Sequence, residues 1–243
     1  MRLRRRKPEP PPLGPPAVRF DLASPAKAYW DERVRQHTQD SYVGVGLAKF
    51  PEDLRAYEHI MWSTRPNVVI EIGTSFGASA LWFRDRLRWL EAYGRIEGGR
   101  VVSVDLEIDE ARGPMSQADP RFEETITLIA GDVLDPELPE QVERQLPAEA
   151  RCLVVEDSAH VYETTMAALV GFARFVPRDG FFVVEDGYVD IEERRTAPEL
   201  PRGVLPAVRD WLQTPAGRDF EVERDAELYG VSSHPEGFLR RVR

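Results

Sequence analysis

The sequence predicts an α/β protein with a central, mostly parallel sheet, helices on both faces and an antiparallel strand pair at its C-terminal end. Two observations predict this class. Helical stretches at residues 78–93 and 162–175 alternate with short apolar runs, which is typical of parallel strands buried on both faces. The runs are NVVIEIG, RVVSVDLE, ITLIAGD, CLVVEDS and GFFVVEDG. Two later runs, DFEVERDAELYG and GFLRRVR, lie close enough to form a hairpin at the sheet edge.

The 243-residue chain is 42% hydrophobic, which is enough for a sizeable core. Residues 1–20 are rich in proline and carry six basic side chains, so we expect a disordered basic tail. Residues 21–66 are expected to be a helical segment with a loop at residues 41–50, after which Pro51 starts a helix that is acidic in its first turn. Residues 67–243 would then form the main domain.

Net charge and the lack of long apolar runs exclude several classes of protein. The formal charge is −10, which disfavours a nucleic-acid partner. No run approaches the roughly 18 residues that span a bilayer, so no membrane partner is expected. Cys152 is the single cysteine, so no intrachain disulfide can form and a cytoplasmic location is expected.

A glycine turn follows the first apolar run in VVIEIGTSFGASAL. Gly73 and Gly77 allow the backbone to approach a ligand, and the helix that follows offers free N–H groups. The spacing from Glu71 is E-x-G-x-x-x-G. Because this is not the G-x-G-x-x-G of dinucleotide-binding proteins, a nicotinamide-dependent oxidoreductase is the weakest alternative.

Two further strand ends extend this crevice. Asp105 ends the second apolar run, where folds of this type place an acid that accepts from ribose hydroxyls. Gly131 and Asp132 end the third run, where an adenine could lie beside Gly131 with its amino group near Asp132. The three edges together predict a crevice that fits a nucleoside.

The sequence Val-Val-Glu-Asp ends both the fourth and the fifth apolar runs, which would deliver carboxylates to the same sheet edge. Neighbouring strand residues face opposite sides, so Asp157 is favoured over Glu156 for the site. Glu185 and Asp186 can both reach it if the chain turns at Gly187. Carboxylates that converge without a nearby lysine repel one another unless a cation lies between them.

Oxygen ligands of this kind suit Mg²⁺, or Mn²⁺ or Ca²⁺, better than Zn²⁺. His160, three residues after Asp157, would lie beside this cation and could remove a proton from a substrate hydroxyl. His37, His59 and His234 have no comparable neighbours in the sequence, and His37 and His59 lie in predicted helices, where a structural or solvated role is expected.

The order of these motifs resembles the cephalosporin hydroxylase family, which includes the rhamnosyl O-methyltransferases. The resemblance covers residues 42–243 and rests on the motifs KFPEDLRAYEHIMWSTRPNVVIEIGTSFGASAL, RVVSVDLE, DSAH, GFFVVED and HPEGFLRRVR. It implies a Rossmann-like class I methyltransferase that binds S-adenosylmethionine (SAM) and a divalent cation. The implied metal ligands are Asp157, Glu185 and Asp186, at the spacing of the catechol O-methyltransferase triad. His160 takes the place of the catalytic lysine of those enzymes.

The same resemblance assigns the methionine end of the cofactor to Glu71, Gly73 and Thr74, the ribose to Asp105, and the adenine to Asp132 and Ser158. Gly77, Ser79 and Gly131 complete the cofactor-binding set. The chain departs from the family pattern at two positions. Ala159 stands where the family has aspartate in Asp-Ser-Asp-His, and Glu156 stands where an apolar residue is usual.

The favoured function is metal-dependent O-methylation of a sugar hydroxyl, or of another polar natural product, by His160 and Asp157. The alternatives are an N-methyltransferase acting on an amino sugar and an accessory SAM-binding protein that assists an oxygenase. A loop at residues 108–121 and the segment 188–203 are expected to cover the acceptor, which could be a deoxysugar or a nucleotide sugar. Four arginines there are candidates for binding a phosphate, or are simply solvated: Arg112, Arg194, Arg195 and Arg202. A homo-oligomer is also expected.

Overall fold

A computed structural model describes residues 26–195, 199–227 and 231–243. The predicted disordered tail at residues 1–20 lies outside the described residues. Within these ranges every helix is too short or too polar to traverse a lipid bilayer.

In the part of the chain that the structure describes, seven strands form one mixed sheet in the order β5-β4-β3-β6-β7-β9-β8. The first five are parallel, while β9 runs antiparallel to both β7 and β8. Their bounds are Val68–Ile72 (β3), Arg100–Asp105 (β4), Ile126–Ala130 (β5), Cys152–Glu156 (β6), Phe181–Val184 (β7), Phe220–Val222 (β8) and Phe238–Arg241 (β9). The predicted Rossmann-like sheet with C-terminal antiparallel strands is confirmed.

Seven α-helices lie within the described residues. They are Ala26–His37 (α1), Pro51–Thr64 (α2), Ala78–Ala92 (α3), Asp109–Ala118 (α4), Leu138–Glu143 (α5), Tyr162–Phe172 (α6) and Val204–Trp211 (α7). The helix α2 begins at Pro51 and has Glu52 and Asp53 in its first turn, as the sequence predicts.

Two apolar clusters lie on opposite faces of the sheet, because successive strand residues point in opposite directions. Val68 and Ile70 contact the cluster that contains residues of α1, α5, α6 and α7. Val69 contacts the cluster that contains residues of α2, α3 and α4. The helix α2 packs on the sheet itself. The predicted division into a helical segment (residues 21–66) and a main domain (residues 67–243) stays a prediction.

Three local details differ from the sequence expectations. Residues 41–50, expected to be a loop, contain a two-stranded ribbon of Ser41–Tyr42 (β1) and Val45–Gly46 (β2). The expected loop at residues 108–121 is largely α4, which buries Ala111 and Met115 although Pro114 lies inside it. The pair β8–β9 is joined by a long connection and not by a tight turn.

Candidate active site

The glycine turn connects β3 to α3 through three residues with positive φ, namely Gly73 (105°), Ser75 (47°) and Gly77 (84°). A Cβ at Gly73 would lie 1.9 Å from the carbonyl oxygen of Asp157, so the ends of β3 and β6 meet there without room for a side chain. A Cβ at Gly77 would lie 2.2 Å from Sδ of Met115. Glycine is therefore required at both positions for packing as well as for conformation.

Asp105, at the end of β4, holds the glycine turn in place. Its Oδ2 atom accepts hydrogen bonds from the backbone N–H groups of Thr74 (2.8 Å) and Ser75 (2.9 Å). Its Oδ1 atom accepts a weaker bond from Glu107 N–H at 3.3 Å. The residue predicted to bind a ribose thus also fixes the loop that forms the floor of the crevice.

A cavity of about 390 Å³ opens beside this turn at the carboxyl ends of the strands. This volume lies within the range of small-molecule sites. Eight of the nine residues predicted to bind the cofactor line the cavity: Gly73, Thr74, Gly77, Ser79, Asp105, Gly131, Asp132 and Ser158. The loop before α2 closes another side with Leu47, Ala48 and Lys49.

Glu71 is the ninth predicted residue and is fully buried behind the cavity wall. Its Oε2 atom accepts from Ser103 Oγ at 2.5 Å, whereas Oε1 has no hydrogen-bond partner among the described residues. Burial raises the pKa of Glu71 to about 7, although the Lys49 charge and the Ser103 hydroxyl pull it down. A buried acceptor without a partner suits a cationic group such as the ammonium of a methionine moiety.

Asp157 and Asp186 converge on His160 next to the cavity. His160 Nε2 lies 3.1 Å from Asp157 Oδ1 and 3.4 Å from Asp186 Oδ2, and all three side chains are about one quarter exposed. Burial lowers the pKa of His160, but the Asp157 hydrogen bond and the Asp186 charge outweigh it and raise it to about 10. In this arrangement the imidazole carries a proton at neutral pH.

The backbone at two of these residues is strained. His160 (φ 57°) and Asp186 (φ 55°) both adopt the left-handed conformation, which is uncommon for residues other than glycine. Such conformations concentrate at functional sites, where the surrounding structure enforces them. Here they direct both side chains to one point between β6 and β7.

A lysine does lie near the carboxylates, contrary to the sequence expectation, and it is Lys49. Its side chain is 3% exposed, and Nζ donates to Glu185 Oε2 (2.5 Å) and to Asp157 Oδ2 (3.0 Å). Burial lowers the pKa of Lys49, but the Asp157 and Glu185 charges raise it above its ordinary value. Burial raises the pKa of Asp157, but Lys49 and His160 together lower it below its ordinary value, so that carboxylate stays ionised.

Glu185 is held by two hydrogen bonds that the sequence did not suggest. Oε1 accepts from the Tyr57 hydroxyl at 2.6 Å, and Oε2 accepts from Lys49. Burial raises the pKa of Glu185, and the Lys49 charge only partly offsets this. Both oxygens are therefore engaged, and the role of Glu185 as a metal ligand stays a prediction.

His234 does have acidic neighbours, contrary to the sequence expectation. It is buried, its Nδ1 accepts from the Asp186 N–H at 3.1 Å, and its Nε2 lies 3.7 Å from both Asp53 and Glu185. Ser233 donates to Asp53 through N–H (2.9 Å) and Oγ (3.0 Å). The connection before β9 brings this histidine to the site, and HPEGF, part of the family resemblance, was the one signal that could have found it.

Glu156 faces away from the carboxylate pair, as the alternation of strand side chains predicts. It is buried, accepts from the Ser158 hydroxyl and N–H, and accepts from Thr165 Oγ1 at 3.3 Å. Burial raises its pKa. Glu156 therefore does not replace the carboxylate that Ala159 lacks, and Asp157 is the one carboxylate that the DSAH segment brings to the site.

The four candidate phosphate-binding arginines are engaged elsewhere. Arg112 pairs with Glu123, and Arg202 pairs with Glu192 at 2.5 Å. The other two hold the chain that follows β7. Arg195 donates to the carbonyl oxygens of Val189 and Leu200, and Arg194 lies 5.3 Å from the Trp30 ring centroid. The contacts give no support to a phosphate site in these loops.

The sheet order, the glycine turn pinned by an acid after β4 and the nucleoside-sized cavity define the class: a SAM-dependent methyltransferase. More narrowly, the chain belongs to the rhamnosyl O-methyltransferase/CmcI family, whose model matches residues 34–242. It is an O-methyltransferase that uses SAM, and the predicted family is confirmed.

The chain is similar to curated mycobacterial proteins over most of its length. It is 25% identical over 206 residues to the rhamnosyl O-methyltransferase of Mycobacterium tuberculosis strain H37Rv, covering 84% of this chain and 79% of the relative. Identity to the rhamnosyl O-methyltransferase of Mycobacterium leprae is 24% over 204 residues, covering 83% and 82%.

Solved structures share the fold. A CmcI structure described as Mg-SAM has a TM-score of 0.60 and 21% identity, with 85% of this chain and 78% of that chain covered. The MycE methyltransferase of the mycinamycin biosynthetic pathway, in complex with Mg, S-adenosylhomocysteine and mycinamycin VI, has a TM-score of 0.53 and 16% identity, covering 88% and 53%.

Proposed function

We propose that this protein is a divalent-cation-dependent O-methyltransferase that methylates a hydroxyl of a sugar, or of a similarly polar acceptor, in natural-product biosynthesis. The observation that carries the proposal is the meeting of Asp157 and Asp186 across His160, beside the SAM cavity. The curated relatives are named rhamnosyl O-methyltransferases, which supports a sugar hydroxyl as the acceptor.

The residues at this point suit a magnesium ion. Donor atoms of Asp157, His160 and Asp186 lie within 4.8 Å of one another and are partly exposed. Mg²⁺ in proteins is commonly held by one or two carboxylates and keeps several waters. Asp157 and Asp186 would be its ligands, and a bound ion would lower the pKa of an acceptor hydroxyl. Glu185 would hold Lys49 and Tyr57 in position through its two carboxylate oxygens.

His160 is the group best placed to take the acceptor proton. With its pKa raised to about 10 by Asp157 and Asp186, the ring already holds a proton at pH 7. It becomes a base only when these two carboxylates are neutralised by another cation, which links the base role to the proposed metal requirement. Bound SAM would supply an electrophilic methyl group on a sulfonium.

The chain also contributes by positioning. Leu47, Ala48 and Ile72 give the cavity an apolar part of its wall. Holding donor and acceptor in line can be worth roughly 7 to 11 kcal/mol of barrier reduction. The segment after β7, with 3₁₀ turns at Gly187–Asp190 and Glu192–Arg194, follows directly on Asp186 and is one of the two segments expected to cover the acceptor.

Methyl transfer from radiolabelled SAM to a rhamnosylated acceptor, with EDTA and then with excess Mg²⁺, tests the proposal. Asp157→Asn and Asp186→Asn should each lower the rate with Mg²⁺ at least about 100-fold, because each removes a ligand charge from the site. Asp179→Asn is the matched control. Asp179 lies in an exposed turn before β7, has positive φ that asparagine tolerates, and should leave the rate unchanged.

Equal rates with EDTA and with Mg²⁺ in the unaltered protein would contradict the metal requirement. Methylation of an amino sugar in preference to a hydroxyl would replace the proposed acceptor with an amine. The homo-oligomer and the cytoplasmic location stay predictions.

A further inference from the structure

A second concavity, of about 440 Å³, lies at the opposite edge of the sheet from the SAM cavity. Its walls come from the end of α2, the turn after α3 and the residues before β3 and β6. The strands begin at this edge and end at the SAM cavity. With a rise of about 3.3 Å per residue, the five residues of β3 separate the two sites by roughly 17 Å.

Three arginines, Arg65, Arg95 and Arg151, line this concavity. Burial lowers the pKa of Arg65, and the charges of Arg95 and Arg151 lower it further, so both lie near enough to Arg65 to repel its charge. None of the three has a carboxylate within 4.0 Å among the described residues. Glu97 and Glu149 also line the concavity but are exposed and form no such pair within those ranges.

The arginines are held in place by groups that do not neutralise them. Arg151 donates to the Thr64 carbonyl oxygen at 2.9 Å, and Arg95 lies 4.6 Å from the Trp62 ring centroid. Arg65 ends α2 in the left-handed conformation (φ 54°), and the Nε atoms of Arg65 and Arg95 are buried without a hydrogen-bond partner among the described residues. The three side chains therefore line a preformed space without a carboxylate of the described residues that neutralises them.

Like charges this close repel one another, and an anion placed among them would remove that repulsion. Guanidinium groups match the oxygens of a phosphate through paired hydrogen bonds. We propose that this concavity is a second ligand site, which binds a phosphorylated small molecule through its phosphate groups. The cluster is a local exception in a chain whose formal net charge is −10.

The proposal is tested by calorimetric titration with inorganic pyrophosphate at low ionic strength, with S-adenosylhomocysteine present to occupy the cofactor cavity. We expect saturable binding that weakens as salt is added. Arg95→Gln and Arg151→Gln should each weaken the affinity by about tenfold or more, the loss expected for a charge-assisted hydrogen bond. Arg218→Gln, in the exposed turn before β8, is the charge-matched control and should bind as the unaltered protein does.

Arg151 also caps the carbonyl end of α2, so thermal unfolding of each variant is measured beside the titration. A folded Arg95→Gln variant that binds pyrophosphate with unchanged affinity would overturn the proposal. So would an equal loss in Arg218→Gln, because it would mean that only overall charge matters. Binding that disappears when S-adenosylhomocysteine is added would assign the anion to the cofactor cavity and would also refute the second site.

Discussion

The glycine turn after β3 and the carboxylate cluster after β6 and β7 lie side by side at one edge of the sheet, but contacts of very different range build them. The turn is fixed by Asp105, which lies about 30 positions from Thr74 and Ser75 on the adjacent strand. In the cluster, Lys49 bonds Asp157 and Glu185 over 108 and 136 positions.

The difference shows which interactions stabilise the glycine turn and which stabilise the carboxylate cluster. The turn is made of backbone hydrogen bonds and glycines, whose requirements are visible in a short stretch of sequence. The cluster balances buried charges drawn from the loop before α2, from two strand ends and from the connection before β9. Its members depend on one another, so the loss of any one should affect both the fold and the site.

The largest effect should come from Lys49→Met. It leaves Asp157 and Glu185 close together without their shared cation, and breaking a buried ion pair in this way costs about 3 to 5 kcal/mol of unfolding free energy. Urea unfolding, read as a fall in midpoint at constant slope, measures the loss.

The double variant Lys49→Met, Glu185→Gln separates charge from packing. Because it removes one of the two stranded carboxylates, it should recover at least about 1 kcal/mol relative to the sum of the single losses. Strict additivity would mean that Lys49 stabilises the protein through its methylene chain and not through its charge.

A smaller effect is expected at the turn. Asp105→Ala removes two hydrogen bonds to the turn as well as the predicted ribose acceptor, and should weaken SAM binding by about 1 to 3 kcal/mol in calorimetry. Asp105→Asn keeps one carbonyl oxygen at the same place and should lose less. Equal affinity in Asp105→Ala and the unaltered protein would move the ribose site elsewhere in the cavity.

The smallest effect is a pH dependence of SAM affinity. The pKa of Glu71 is raised to about 7, so the carboxylate is mostly protonated at pH 6 and mostly ionised at pH 7.5. If the ionised form binds the cofactor ammonium, affinity should rise about eightfold between these pH values. Glu71→Gln should bind weakly and show a flat profile. A profile in the unaltered protein as flat as that of Glu71→Gln would contradict the assignment.

The sequence also misled at particular places. His234 has no neighbours in the sequence comparable to those of His160, because Asp53 lies 181 positions before it and only the tertiary fold brings the two together. Lys49 lies in the predicted loop at residues 41–50, and no feature of the neighbouring sequence indicates that its side chain is buried. The segment that contains Pro114 was expected to be a loop, but α4 tolerates the proline and buries Met115 against Gly77.

The sequence by itself determined the strand pattern, the glycine turn and the edge of the sheet at which Asp105, Asp157 and Asp186 gather. These follow from periodicity, from the φ requirements of glycine and from the common direction of parallel strands. Only the tertiary structure decided which charge balances which. Pairing between Lys49, Tyr57, Glu185 and His234 depends on burial and on distances across the fold, and electrostatic interactions in a buried site have no signature in local sequence.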